Sequence, residues 1–537
     1  MFEATRSKKL RCGRSRENPC RMMEKHLNHR GGLPRMKRFA NMFAIFRSQR
    51  LLILLLCFTA SLRVFVFAAA FPFFSNGDED LHFDLVTQYA AGRLPRTFGV
   101  LTNESLSYIV PYASPEFLQT PDQFPNAKFP PPLWKQSVAE AAPVIEATKA
   151  VWQKEINWES SQPPLYYALA GFWWRFGRCI GLTGIESLYW IRFLNALLIS
   201  ILVWLGYVIA RTIGPEHVGL SVGVPLLLAF IPQDVLYVLS NDVLSPICFG
   251  AVLLCVMRWL QAESPSLLLS AITGLAIAAT YLTKLSNLPL LTVAIIAIIA
   301  KSLRMLRREP DAATRALVLM ILCAGIPIGS WMLWSKAHFG DVAGSTTAIA
   351  LLTWTRKPFT DWWDHPIFSP RGSWTFWSEL LARFWRGELM WQNRELSSRI
   401  ADEFYAISSL LLLCATMTGI RRRAGLSTFQ RQALLLVAFA FIAALTFLAL
   451  LSVQFDFGEC IYPSRAHPYL TSGRLISGAL IPFALLYAYG VIRLLSRAGN
   501  ALLPLVVIAT IVVLVSISDA VVNREVFASE HNWFHLP

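Results

Sequence analysis

The feature that most constrains this chain is a series of apolar runs, among them Trp190–Ala210, Ala316–Trp334, Ala433–Leu451 and Ala501–Ser518. Each is about 17 to 23 residues long, enough at about 1.5 Å per residue to cross roughly 30 Å of hydrocarbon as a helix. Apolar residues make up 55% of the 537 and charged residues only 15%, so the bilayer is the main solvent and helices are the spanning element. The fold class that follows is an all-α polytopic membrane protein.

A net charge of +15 would point to nucleic acid in a soluble protein. Here the excess sits in short blocks beside apolar runs, which is how topology is written. Residues 1–50 hold fourteen Lys or Arg against three acids, and further blocks stand at Lys301–Arg315, Arg421–Arg431 and Arg493–Arg497. These mark the cytoplasmic side and exclude a nucleic-acid partner. Leu51–Ala70 follows a basic arm as a signal peptide would, but the arm is long and membrane segments follow, so an uncleaved first span is expected. The arm, residues 1–50, shows no apolar period and is expected to be disordered.

Pro163–Gly177 creates a conflict, because counting it as a span would make the basic blocks alternate wrongly. It reaches only about 22 Å, is flanked by Arg175 and Arg178, and carries paired aromatics at Tyr166, Tyr167, Trp173 and Trp174. It therefore lies in the membrane surface. About eleven spans remain, near 51–73, 190–211, 218–237, 243–260, 266–282, 286–302, 316–334, 403–420, 432–453, 474–495 and 500–518. The transmembrane domain, 51–518, then carries a large first outer loop at 74–189, a second at 335–402 and a short one at 454–473, with a tail at 519–537 on the same face. The first loop reads as a helix over Asp80–Ala91 entered from a Ser75-Asn76-Gly77 turn, a Pro-rich stretch, a polar helix over Val138–Ile156 and the surface helix. Seven tryptophans between Trp354 and Trp391 read as an aromatic belt at the headgroups.

Four groups of residues are able to carry chemistry, each beside a plainer role. Asp78-Glu79-Asp80-Leu81-His82-Phe83-Asp84 packs four carboxylates and an imidazole at the mouth of a helix, suited either to general-base work or to acidic capping of that helix. Trp158-Glu159-Ser160-Ser161-Gln162-Pro163-Pro164 places Glu159 and Gln162 before a rigid diproline, or is an ordinary polar helix start. Asp234 and Asn241-Asp242 put carboxylates at the hydrocarbon edge, where they are costly unless functional or solvated by their loop. Arg465, His467, Tyr469 and Gly473-Arg474, with Lys284, offer cations at headgroup level for gripping phosphate or for snorkelling. On the derived topology all four fall on one outer face.

The order of these motifs resembles the GT-C superfamily of polyprenyl-phosphate-sugar-dependent glycosyltransferases, the group that includes protein O-mannosyltransferases and the lipid A aminoarabinose transferase. Asp78-Glu79-x-x-His82 is similar to its acidic pair after the first span, and Gln162-Pro163-Pro164-Leu165-Tyr166-Tyr167 to its diproline helix. Trp190-Ile191-Arg192-Phe193-Leu194-Asn195-Ala196, Ser240-Asn241-Asp242 and Gly473-Arg474-Leu475 resemble its second span, second acidic loop and late Gly-Arg-Tyr. The likeness covers about residues 51–495. It departs at Gln162, where His or Lys often stands, and at Leu475, where tyrosine is usual.

The resemblance implies an inverting transfer of sugar from a polyprenyl phosphate to a hydroxyl of a glycan, lipid or protein, on the outer face of the plasma (inner) membrane. Asp78 would be the base, and Glu79 would orient it or, with Asp242, hold a divalent cation. Arg474 and Lys284 would stabilise the leaving phosphate, while His82, Glu159, Gln162 and Asp242 would line the donor pocket. A polysaccharide ligase or polymerase would shift the weight to Arg465, His467 and Arg474. A lipid or sugar transporter or flippase would instead need ionisable residues along a midplane path.

Overall fold

A computed structural model describes residues 33–536 apart from 76, 423–424, 461, 497–499 and 501. The chain divides into two units, Met1–Leu52 and Ile53–Pro537, and the polar clusters described below lie in the second. Among the described residues nine helices are long and apolar enough to cross a membrane, from Gln49–Ala70 to Leu503–Val522. Two shorter apolar helices, Val218–Phe230 and Leu267–Thr283, stand where the sequence places the other two expected spans.

The first helix begins at Leu33, inside the arm expected to be disordered. Its sequence there includes Arg, Met and Ala, which extend a helix at little cost once a span has nucleated it. The rest of that arm lies outside the described residues.

The expected span 218–237 stops at Phe230 instead. Pro232 disfavours the helical conformation at Ile231, which adopts extended backbone. Residues 231–244 then form a buried irregular segment with short 3-10 turns at Asp234–Leu236 and Asn241–Val243 before the next helix, Ser245–Gln261. Irregular backbone at this depth needs partners, and it has them. The side chain of Asn195 donates to the carbonyls of Leu236 and Val238 at 3.2 and 2.8 Å, and Arg63 donates to that of Ile231 at 3.1 Å.

Gly473–Leu495 runs through the centre of the bundle, with 89% of its apolar stretch buried. Pro310–Phe339 lies at the periphery, with 17% buried and Ile321 and Ile326 facing outward. At the far ends of their helices, Lys301 donates to the carbonyl of Leu260 at 3.0 Å.

The first loop holds helices Glu79–Ala90, Asn103–Tyr112, Val138–Trp152 and Leu165–Cys179. The last starts after both prolines, with Pro164 as its N-cap. It buries Tyr166, Tyr167, Ala170 and Trp174 while leaving Phe172 and Phe176 exposed, the two-faced pattern of a surface helix. The Trp-rich stretch is not a uniform belt. Trp385 and Trp391 are buried, Trp385 stacked on Tyr405 at 5.1 Å and Trp391 edge-on to Phe117, whereas Trp363 and Trp374 are exposed. Trp385 belongs to helix Pro370–Arg386, which turns one apolar face to the core. An antiparallel pair joins Thr355–Arg356 of this stretch to Phe455–Asp456 after helix Thr428–Gln454.

Candidate active site

Asp78 occupies the left-handed region, φ 60°, as the N-cap of helix Glu79–Ala90. Aspartate tolerates this conformation better than most residues, and it turns the carboxylate away from the helix and toward the late spans. There Arg474 meets it at 2.7 Å. Arg474 also donates to Glu388 at 2.7 Å and to the carbonyl of Gly77 at 3.1 Å. Among the described residues no other side chain reaches the Asp78 carboxylate.

Glu388 is held by a backbone device. Asp234 accepts from the amides of Glu388 and Leu389, both at 2.7 Å. The chain passes so close to Asp234 that a Cβ on Gly387, whose φ is +89°, would lie 1.9 Å from the carboxylate. Oε1 of Glu388 also accepts from Ser472 at 2.6 Å, while Oε2 is buried without a partner among the described residues. Gly473 packs as tightly, its missing Cβ falling 2.3 Å from the amide of Phe384.

Beside this pair stands another, Lys284 with Asp242. Lys284 is the C-cap of Leu267–Thr283, and Asp242 takes a further hydrogen bond from Ser240 at 2.9 Å. Asn241 donates to Gln162 at 3.3 Å, bringing the residue before the diproline to the same place.

Glu159 and His82 complete the cluster. Burial first, then the nearby Asp78 carboxylate, raise Glu159 to about 7, against the opposing pull of Lys284 and Arg474. Burial and the Asp78 charge also raise Asp80 to about 7. His82, hydrogen bonded to Tyr167 at 2.8 Å, is lowered to about 3 by burial and then by Lys284 and Arg474. Asp78, His82, Glu159, Gln162, Asp242, Lys284 and Arg474 therefore share one site.

Glu79 does not serve it as expected. Both its oxygens are taken by Arg192 at 2.6 Å and by the amides of Ser75 and Leu239 at 3.0 and 2.9 Å. Arg192 in turn donates to the carbonyls of Ala68 and Phe71 and, at 2.7 Å, of Pro72. Glu79 thus fastens the end of the first span to the 231–244 segment. Among the described residues no three His, Cys, Asp or Glu side chains gather as metal ligands. With Glu79 engaged by Arg192 and Asp242 by Lys284, the two residues named for a divalent cation do not fit that role.

Arg465 and His467 lie elsewhere. Arg465 is exposed and bridges Asp456 at 3.3 Å, and His467 bonds Glu379 at 2.9 Å. Asn76, in the expected turn, lies outside the described residues. Sequence reasoning missed Glu388 as a site residue and Arg192 as the buttress of Glu79. A charged residue within an apolar run is itself the signal for Arg192; Glu388 carries no comparable mark among the acids of its loop.

A bundle of membrane-length helices that holds a cluster of charged residues defines a polytopic α-helical membrane protein. A family model described as "Predicted membrane protein (DUF2142)" matches residues 62–461, and the chain belongs to that family. No curated protein matches it. Its fold is similar to that of ArnT from Cupriavidus metallidurans bound to undecaprenyl phosphate, at 11% identity and a TM-score of 0.44, covering 89% of this chain and 74% of that one. It is also similar to the Archaeoglobus fulgidus oligosaccharyltransferase in the apo form, at 12% and 0.41. Likeness to the same organism's AglB, in complex with an inhibitory peptide and a dolichol-phosphate, is 12% and 0.38. Each archaeal comparison covers 89% of this chain and 56% of the other.

Proposed function

We propose that the chain is a membrane glycosyltransferase that moves a sugar, with inversion, from a polyprenyl-phosphate donor to a hydroxyl acceptor on the outer face of the membrane. The observation that carries this reading is the Asp78–Arg474 pair at 2.7 Å, with each side chain about one-fifth exposed, in a cluster that also holds Lys284, Asp242 and Glu159.

The pair is a resting arrangement that a donor exchanges. The phosphate takes the guanidinium, which suits bidentate contact, and Asp78 is released to act as a base. The acceptor oxygen then attacks the anomeric carbon as its proton passes to Asp78. The bond from that carbon to the phosphate oxygen breaks, and the lipid phosphate leaves against Arg474 and Lys284. Because attack and departure occur on opposite sides in one displacement, the configuration inverts. Glu159, His82, Gln162 and Asp242 line the donor's sugar.

The test is transfer of radiolabelled sugar in membranes preloaded with polyprenyl-phosphate sugars, comparing wild type with Asp78→Asn and Arg474→Lys at equal protein level. Product from wild type alone supports the reading. Full activity of Asp78→Asn removes the base assignment, and no product from any of the three across several donors turns the reading toward transport.

A further inference from the structure

Beside Ser160, the neighbour of Glu159, a cavity of about 530 Å³ opens between the first loop and helix Pro310–Phe339, lined by Gln88, Arg93, Arg96, Thr102, Ser160 and Trp334. We infer that it is a binding site for an anionic, phosphate- or carboxylate-bearing head group, and that it presents this molecule as the sugar acceptor; the acceptor role rests on the transfer reading, whereas the binding does not.

The wall of the cavity is built rather than incidental. Asp84 is fully buried and accepts five hydrogen bonds, from Gln88, the amide and hydroxyl of Thr102, Ser105 and Asn157, all between 2.7 and 2.9 Å. This one carboxylate therefore fixes two lining residues and, through Asn157, the turn that carries the other side of the cavity. Asn157 accepts from the amide of Glu159 at 3.0 Å and, through its carbonyl, from the hydroxyl of Ser160 at 2.7 Å. A ligand seated against Ser160 is thereby held at a defined offset from Glu159.

The cations are available. Among the described residues Arg96 has no ion-pair partner, and Arg93 has only a 3.4 Å pair with Glu104 in which both side chains are largely exposed. Such a pair is weak and yields to a stronger anion. Asp84, the carboxylate that builds the wall, is already consumed by its five donors. Trp334, whose ring stacks on His338 at 3.9 Å, lines the cavity with an aromatic side chain suited to a sugar, and its indole N–H is buried without a partner among the described residues. It stands near the end of Pro310–Phe339, a membrane-length helix, with exposed Leu94 also on the cavity lining. A head group still attached to lipid and a soluble sugar phosphate both carry the required chemistry.

The test uses the full-length protein in phosphatidylcholine nanodiscs, as wild type, Asp78→Asn, Trp334→Ala and the double variant Arg93→Gln/Arg96→Gln, with melting temperatures as the folding control. Two probes separate the sources. Native mass spectrometry reads retention of added phosphatidylglycerol, and equilibrium dialysis reads binding of radiolabelled glucose 1-phosphate. Wild type and Asp78→Asn are expected to bind at least one probe equally well, with the double variant weaker by about tenfold or more and Trp334→Ala intermediate. Phosphatidylglycerol alone would assign a lipid acceptor, and glucose 1-phosphate alone a soluble one. Binding undiminished in the double variant, or no binding of either probe by wild type, overturns the inference. An inactive transferase leaves the outcome readable, because binding needs no turnover.

Discussion

Arg192 clasps Glu79 through two contacts of 2.6 Å, with both side chains withdrawn completely from solvent. The consequence is a division of labour between neighbours. Glu79 secures the backbone at the end of the first span, and Asp78, one residue earlier, turns the other way to Arg474.

Substitutions at the two positions should therefore separate stability from activity. Glu79→Ala leaves a buried guanidinium uncompensated, at an expected cost of about 3–5 kcal/mol. It should lower the melting temperature and the yield of folded protein. Arg192→Lys should fail similarly, because an ammonium cannot supply the parallel contacts. Asp78→Asn should melt close to wild type while losing transfer. Thermal unfolding in detergent beside the transfer assay checks all three, and a stable Glu79→Ala protein would refute the buttress role.

The ionisable groups around Asp78 predict a pH dependence of stability with a definite sign. Glu159 and Asp80 are raised from ordinary carboxylate values to about 7. The folded state binds more protons than the unfolded between those limits, and stability falls as pH rises through them. His82 is lowered to about 3, so the folded state binds fewer protons up to the ordinary histidine value, and its contribution rises with pH over that interval. The slopes oppose each other. Glu159→Gln removes one falling contribution, worth up to about 1.4 kcal/mol per pH unit, so its melting temperature should drop less, or climb, between pH 5 and 6.5 by comparison with wild type. Identical profiles would mean that Glu159 does not hold its proton there.

Most of this site was legible before any fold was known, because acids and cations at the ends of apolar runs have few ordinary places to go. Asp78, Glu159, Asp242, Lys284 and Arg474 come from segments far apart in sequence, and topology alone sends them to one face. What local pattern could not tell was the direction each side chain takes. Glu79 and Asp78 look equivalent in sequence and diverge only because Asp78 adopts φ 60°. The break at Pro232 was hidden inside an apolar run whose length suggested a complete span, and the burial of Trp385 depends on a helix face that a count of tryptophans does not reveal.

Gly387 offers a test of how Glu388 is aimed. A methyl group there would lie 1.9 Å from Asp234 and would require a left-handed backbone of φ +89°. Gly387→Ala should push Asp234 off the amides of Glu388 and Leu389, destabilise the protein by about 1–3 kcal/mol and reduce transfer further than that loss explains, since Arg474 leans on Glu388. Normal specific activity in the folded fraction would show that the position of Glu388 is immaterial.

A second buried pair makes the sharpest energetic prediction. Arg63 of the first span meets Asp519 of the last at 2.7 Å, with side chains 9% and 4% exposed, and also contacts Tyr237 and the carbonyl of Ile231. Replacing one partner leaves an unpaired charge within an apolar bundle, so Arg63→Leu or Asp519→Leu alone should cost about 3–5 kcal/mol. The double variant removes both charges together and should recover most of that loss. What it does not recover measures the support Arg63 gives to the broken segment after Phe230. A double-mutant cycle on melting temperatures reads this directly, and strictly additive losses would mean that the two charges do not depend on one another.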